Sequence, residues 1–340
     1  MKKRIFWLIL LTLLLVTIYF WQLIGYGLGQ AKGQFIVLWN AQPITQVLIE
    51  PNTPDSTKQK LKLINEIRNF AFDSLGLTPT KNYTTYYNQH GKDILWVVTA
   101  CAPYKFEPIE WSFPIIGSFT YKGFFDFEKG QNLAYDLTKK GFDVEMSPVS
   151  GWSTLGWFKD PVLSNMLEGT VGSMSNTIIH ELTHGTLFIP DSMTFNENLA
   201  SFIGRMGAQK FLAHTYGSSS TQVVEYTVRL NDSEQFTKYM ILGAMQLDSL
   251  YKRFEKLPEN ELKEVKATYI TSFIKNIDTV SFINPDRYKT IFKTNTVNNA
   301  RFISFLNYRE RQDEFKVQLE KEFNSDLVQF IKHWQNKYPK

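Results

Sequence analysis

At 340 residues, with 43% hydrophobic and 15% aromatic residues, the chain is long enough to bury a real core and too apolar to be disordered. Its formal charge of +4 comes without an Arg/Lys-rich tract, which excludes a nucleic-acid footprint, and its single cysteine excludes an intramolecular disulfide.

MKKR opens the chain and is followed by an uncharged run from Ile5 to Ala31. About 20 apolar residues suffice to cross the hydrocarbon layer of a bilayer. The expectation is one N-terminal transmembrane helix over residues 1–29, uncleaved, because the run is long for a signal peptide and GYGLGQ is a poor cleavage site. Lys2, Lys3 and Arg4 then stay in the cytoplasm by the positive-inside rule, and everything after Gly29 faces outward. The protein is thus expected in the cell membrane, single-pass, with the membrane as a partner through this helix.

Residues 30–340 are expected to form one domain. Asp55 to Leu75 carries apolar residues at helical spacing (Leu61, Ile64, Ile67, Phe70) and should be an amphipathic helix stopped by Gly76. The segments 94–100, 118–125 and 142–149 read as strands, and Phe127 to Lys140 as a helix ended by Gly141. Cys101, following LWVVTA, reads as a buried strand residue. From Gly172 onward the pattern is almost wholly helical, with breaks near Pro190, Asn231-Asp232, Pro258 and Asn284-Pro285. The expected fold class is therefore α+β: a small β-sheet half over residues 90–150, a mainly helical half over 171–340, and the transmembrane helix in front.

The chemistry concentrates in HELTHGTLFIPDSMTFNENLA, His180 to Ala200. His180 and His184 are four apart in a helical segment, so both imidazoles project from one face and can grip one Zn²⁺. Glu181 lies on the adjoining strip, placed as the general base of this H-E-x-x-H pattern. Catalytic zinc takes a third protein ligand, and Glu197 is the best-placed acid, with Asp191 and His214 behind it. Thr194 to Glu197 also reads T-x-x-E, in which Glu197 would only cap the helix. Ala200, Ser201 and Gly204 are small enough to let a second helix approach the first.

HELTH followed by NENLA resembles the HExxH…NExxA pattern of the gluzincins, the clan of thermolysin and many zinc aminopeptidases. GQAKGQ (29–34), FAFDSLGL (70–77), WSFPIIGSFTYKGFF (111–125), STLGWFKDPVLSNML (153–167) and VNNARFISFLNY (297–308) are similar to segments of a narrower group, a bacterial family described as predicted aminopeptidases. The resemblance runs over most of the chain after the apolar run, and implies a zincin-like fold and a zinc peptidase.

On this reading, zinc held by His180, His184 and Glu197 acidifies water and polarises the scissile carbonyl of a peptide substrate, while Glu181 carries the proton. Tyr308 is the first candidate for the oxyanion donor, before His214 and Tyr216. Glu107, Glu110, Asp126, Glu145 and Asp160 are the acids available to recognise a free α-amine. Two readings compete with an aminopeptidase: a zinc endopeptidase, and a non-catalytic scaffold with a vestigial metal site.

Overall fold

The apolar N-terminal run is divided between two helices, α1 (Lys2–Tyr19) and α2 (Trp21–Asn40), which part at Phe20. The protein is described by a computed structural model covering residues 2–113, 117–149, 158–189, 192–288, 290–294, 297–309 and 312–338. Of the 18 residues of α1, the first three are Lys2, Lys3 and Arg4. What remains rises only about 22 Å, against the roughly 30 Å of a hydrocarbon core. Among the described residues no helix is long and apolar enough to cross a membrane. This overturns the expected transmembrane anchor, together with the single-pass membrane location and the membrane partner that followed from it.

Beyond β1 (Gln42–Pro43) and a short α3 (Ile44–Val47) comes α4 (Asp55–Asp73). Its stripe of Leu61, Ile64, Ile67 and Ala71 is buried, and the chain leaves it through Gly76 at φ +75°, a conformation costly for any residue with a Cβ. Arg68, on the same helix, donates to the carbonyls of Asn82 (2.8 Å) and Thr80 (2.9 Å), fixing the loop that leads into β2 (Thr85–Tyr87).

The next region holds β3 (Trp96–Cys101), β4 (Trp111–Phe113), β5 (Gly117–Phe119), β6 (Tyr121–Phe124), α5 (Phe127–Lys139) and β7 (Asp143–Pro148). Its strands do not join into one sheet. β3 is central to an antiparallel β6-β3-β7 sheet, β4 and β5 form a separate antiparallel pair, and β2 pairs instead with β1 and, in parallel, with β8 (Val162–Leu163). The protein is mostly helical with small sheets, which corrects the expected α+β division into a sheet half and a helical half. The reason is that strand partners come from residues 42, 86 and 162, and from strand pairs too short to extend one another.

The helices that follow are α6 (Val171–Thr186), α7 (Met193–Tyr216), α8 (Thr221–Arg253), α9 (Glu259–Lys275), α10 (Ile291–Thr294), α11 (Asn299–Arg309), α12 (Gln312–Glu322) and α13 (Leu327–Lys337). α8 runs unbroken through Asn231-Asp232. Asp232 does not turn on its own backbone: its carboxylate accepts from the amides of Ile283 (2.7 Å) and Asn284 (2.8 Å), anchoring a loop from elsewhere. The principal core joins α4, α6, α7, α12 and α13 through Ile64, Ile178, Leu182, Ile203, Phe315 and Phe330.

Asn299, from the VNNAR motif, ties distant segments together. Its amide nitrogen donates to the carbonyls of Ala102 and Pro103, its side-chain oxygen accepts from Tyr251, and its backbone N–H donates to Asp143. Beside this knot Cys101 is fully buried, and burial, with the nearby Asp143 charge, pushes its thiol up to about 12. At pH 8 the folded protein should therefore resist maleimide labelling, with modification appearing only in denaturant; mass spectrometry of the two samples checks this.

Candidate metal centre

α6 is preceded by Thr170, whose hydroxyl caps it by accepting from the Ser173 amide at 3.3 Å. Ile178, Ile179 and Leu182 are fully buried and seat the helix in the core. On the face left over, one turn apart, stand His180 and His184. Their rings meet edge-on with centroids 4.9 Å apart, and their Nε2 atoms are separated by 3.2 Å.

α7 folds back over this face. It approaches closely because it is small where the helices cross: a Cβ on Gly204 would stand 2.9 Å from the Asn176 carbonyl oxygen and 3.0 Å from the His180 Cβ. The approach brings Glu197 onto the histidines, with Oε2 3.5 Å from His180 Nε2 and Oε1 3.3 Å from His184 Nε2. Ligand atoms of the three residues lie within 4.8 Å of one another, and the triad could hold a metal ion. Ser201 Oγ sits 3.4 Å from His180 Nδ1, on the side of the ring turned away from Glu197.

α7 begins at Met193 with Ser192 as its N-cap, so Thr194 is already inside the helix and forms no capping box with Glu197. Two buried asparagines flank Glu197 instead. Asn196 grips Ile189 in the interhelical link from both sides, accepting from its amide at 2.9 Å and donating to its carbonyl at 2.7 Å. Asn198 donates to the Thr194 carbonyl at 2.8 Å and receives the side-chain amide of Gln312 on its own carbonyl at 2.7 Å.

The two carboxyls of the site are shifted in opposite directions. Burial pushes Glu181 up to about 7, opposed by His180 and reinforced by the charges of Glu197 and Asp160. Burial acts on Glu197 too, but hydrogen bonds to His180 and His184 and the charges of those imidazoles outweigh it and hold the carboxyl well below the usual range. The phenols of Tyr83 and Tyr121 are both raised, chiefly by burial and then by nearby carboxylates, Glu181 among them in each case.

A family model described as "Putative aminopeptidase" matches residues 25–337. The chain belongs to this family. No curated protein and no solved structure matches it.

The matched span of this aminopeptidase-family chain takes in α6, α7 and every residue of the triad. Of the other candidates, His214 and Tyr216 stand at the far end of α7, about 25 Å along the helix from Glu197, too far to ligate or to donate. His214 packs on Phe70 instead. Tyr308 belongs to α11, and its side chain lies outside the described residues, as do Asp191 and residues 153–157 of the STLGWFKDPVLSNML segment.

Among the acids proposed for an α-amine, Asp126 caps α5, Glu145 is paired with Arg301, and Glu107 is exposed beside Lys105. Glu110 is exposed. Asp160 is fully buried, accepting from the Asn82 side chain at 3.1 Å. The two asparagines of NENLA and Tyr121 escaped sequence reasoning. Polar residues beside a candidate ligand were the available signal for the first, and nothing local marked the second.

Gly204→Ala should cost about 1–3 kcal/mol, since the new methyl would meet the Asn176 backbone carbonyl at 2.9 Å and the His180 Cβ at 3.0 Å as well as the Asn176 side chain at 2.8 Å. It should also weaken metal retention by moving Glu197 off the histidines; urea unfolding and a metal titration of the same preparation check both.

Proposed function

We propose that this protein is a zinc-dependent aminopeptidase, with His180, His184 and Glu197 as the metal ligands and Glu181 as the general base. The observation that carries the reading is the spacing of the donor atoms. A tetrahedral ion bound at about 2.0–2.1 Å requires its ligands to stand about 3.3–3.4 Å apart. Here the two Nε2 atoms stand 3.2 Å apart and face different oxygens of Glu197, Oε1 at 3.3 Å from His184 and Oε2 at 3.5 Å from His180, and with one oxygen taken the three donors lie within 4.8 Å of one another. Two imidazole nitrogens and one carboxylate are also a donor set of catalytic rather than structural zinc, since among the described residues no fourth ligand joins the group.

When bound, zinc supplies a Lewis acid that acidifies water and polarises the substrate carbonyl. The chain's own groups do the rest. Ser201 holds the His180 ring from its Nδ1 side, keeping Nε2 turned inward. Asn196 and Asn198 fix the backbone on both sides of Glu197. Glu181 takes a proton from the attacking water onto a carboxylate oxygen and delivers it to the nitrogen of the leaving amine, as a C–O bond forms and the C–N bond breaks.

The test is peptide hydrolysis by the metal-replete chain, with free and N-acetylated versions of one peptide. Chelator-sensitive cleavage confined to the free peptide is the expected result. Equal cleavage of both would make the enzyme an endopeptidase, and no cleavage of either, with zinc bound, would end the peptidase reading.

A further inference from the structure

α2 is apolar on two faces. One packs on the body of the protein: Val37 is buried, the Tyr26 hydroxyl donates to the Gly123 carbonyl at 2.9 Å, and a Cβ on Gly33 would stand 2.2 Å from the Phe125 ring. The other carries Trp21, Ile24, Leu28, Phe35 and Trp39, which are 69, 38, 67, 60 and 76% exposed. At 3.6 residues per turn these five side chains project within about a sixth of a turn of one another, and at 1.5 Å per residue the stripe is about 27 Å long. The rings of Phe35 and Trp39 stack at 5.4 Å. α1, which parts from α2 at Phe20, leaves the stripe bare.

Scattered exposed apolar residues need no explanation, but a contiguous patch of this length marks an interaction site. Taking roughly 200 Å² for a fully bared side chain of this size, the stripe exposes about 600 Å². Two such stripes face to face would bury about 1,200 Å², which meets the area that specific protein pairs bury. Trp21, Leu28 and Phe35 recur every seven residues, with Ile24 and Ala31 three places after the first two, which is the repeat of a seam that packs on another helix. A lipid surface suits the stripe less. An interfacial helix sets its apolar face against one rich in Lys and Arg, whereas the only charge of α2 is Lys32 and its second face is closed by protein.

We propose that this protein is a dimer in which the exposed stripe of α2 packs on the same stripe of a second copy about a twofold axis. Leu28 lies near the middle of the contact, and Trp21 and Trp39 at its two ends. Lys32 projects beside the stripe and keeps its ammonium in water at the edge of the pair. The pairing stands independently of the peptidase reading.

Sedimentation equilibrium of the full chain in detergent-free buffer tests it. The expected mass is twice that of one chain. Leu28→Glu, which sets a charge in the middle of each stripe, should weaken self-association at least about 100-fold and return the monomer mass. Leu28 is mostly exposed, so the variant should keep the wild-type circular dichroism; if it does not fold, Phe35→Glu takes its place. A monomer mass for the wild type, a larger assembly in place of the dimer, or a doubled mass that survives the substitution would overturn the proposal. A monomer that floats with neutral phosphatidylcholine vesicles, and no longer does so as Leu28→Glu, would give the face to lipid instead.

Discussion

Glu181→Gln is expected to leave a protein that holds metal as the wild type does but turns over peptides at least about 100-fold more slowly. Gln matches Glu in shape, so the packing of a buried side chain on α6 is retained. It has no carboxylate to take a proton. Glu181 is also outside the cluster of possible metal ligands, so metal stoichiometry should not change. Folding stability should not fall, because the substitution removes a carboxyl whose ionisation burial already opposes. Elemental analysis beside steady-state kinetics separates the outcomes. Undiminished turnover would remove Glu181 from the mechanism, whereas loss of metal along with activity would make it a ligand.

Glu197→Ala should show the second large effect, in stability linked to metal. A ligand that binds only the folded state stabilises it by about 2.7 kcal/mol at a concentration 100 times Kd. Wild-type protein titrated with zinc should gain on that order, and EDTA should reverse the gain. The variant keeps His180 and His184 but loses the two oxygens that face them at 3.5 and 3.3 Å, so its unfolding midpoint should barely respond. A zinc response equal to the wild type's would show that the third ligand lies elsewhere.

The reach of sequence reasoning followed the range of the interactions. His180, Glu181 and His184 were legible because a four-residue spacing within one helix fixes their common face. Glu197 was legible in kind, but T-x-x-E could not say where α7 begins, and that depends on Asn196 grasping Ile189 across the link. α4 and α5 were read within two residues of their ends because stripe and stop signal are both local. The sheets were not, since the partners of β2 lie some 40 and 75 residues away along the chain. At Asn231-Asp232, residues that normally end helices sit inside one, because a distant loop uses the Asp232 carboxylate. The N-terminal run had enough apolar residues, but counting them could not reveal the break at Phe20.

The helical hairpin of α6 and α7 has a consequence for how the chain folds. His180 and Glu197 are separated by a loop of fewer than 20 residues, and closing a loop of that size takes well under a microsecond. The contacts of Asn299 instead close loops of nearly 200 residues, with their larger entropic cost. The hairpin that gathers the triad can therefore assemble while the Asn299 knot is still open, and a metal present during folding would meet the three residues proposed to bind it before the rest of the molecule is in place.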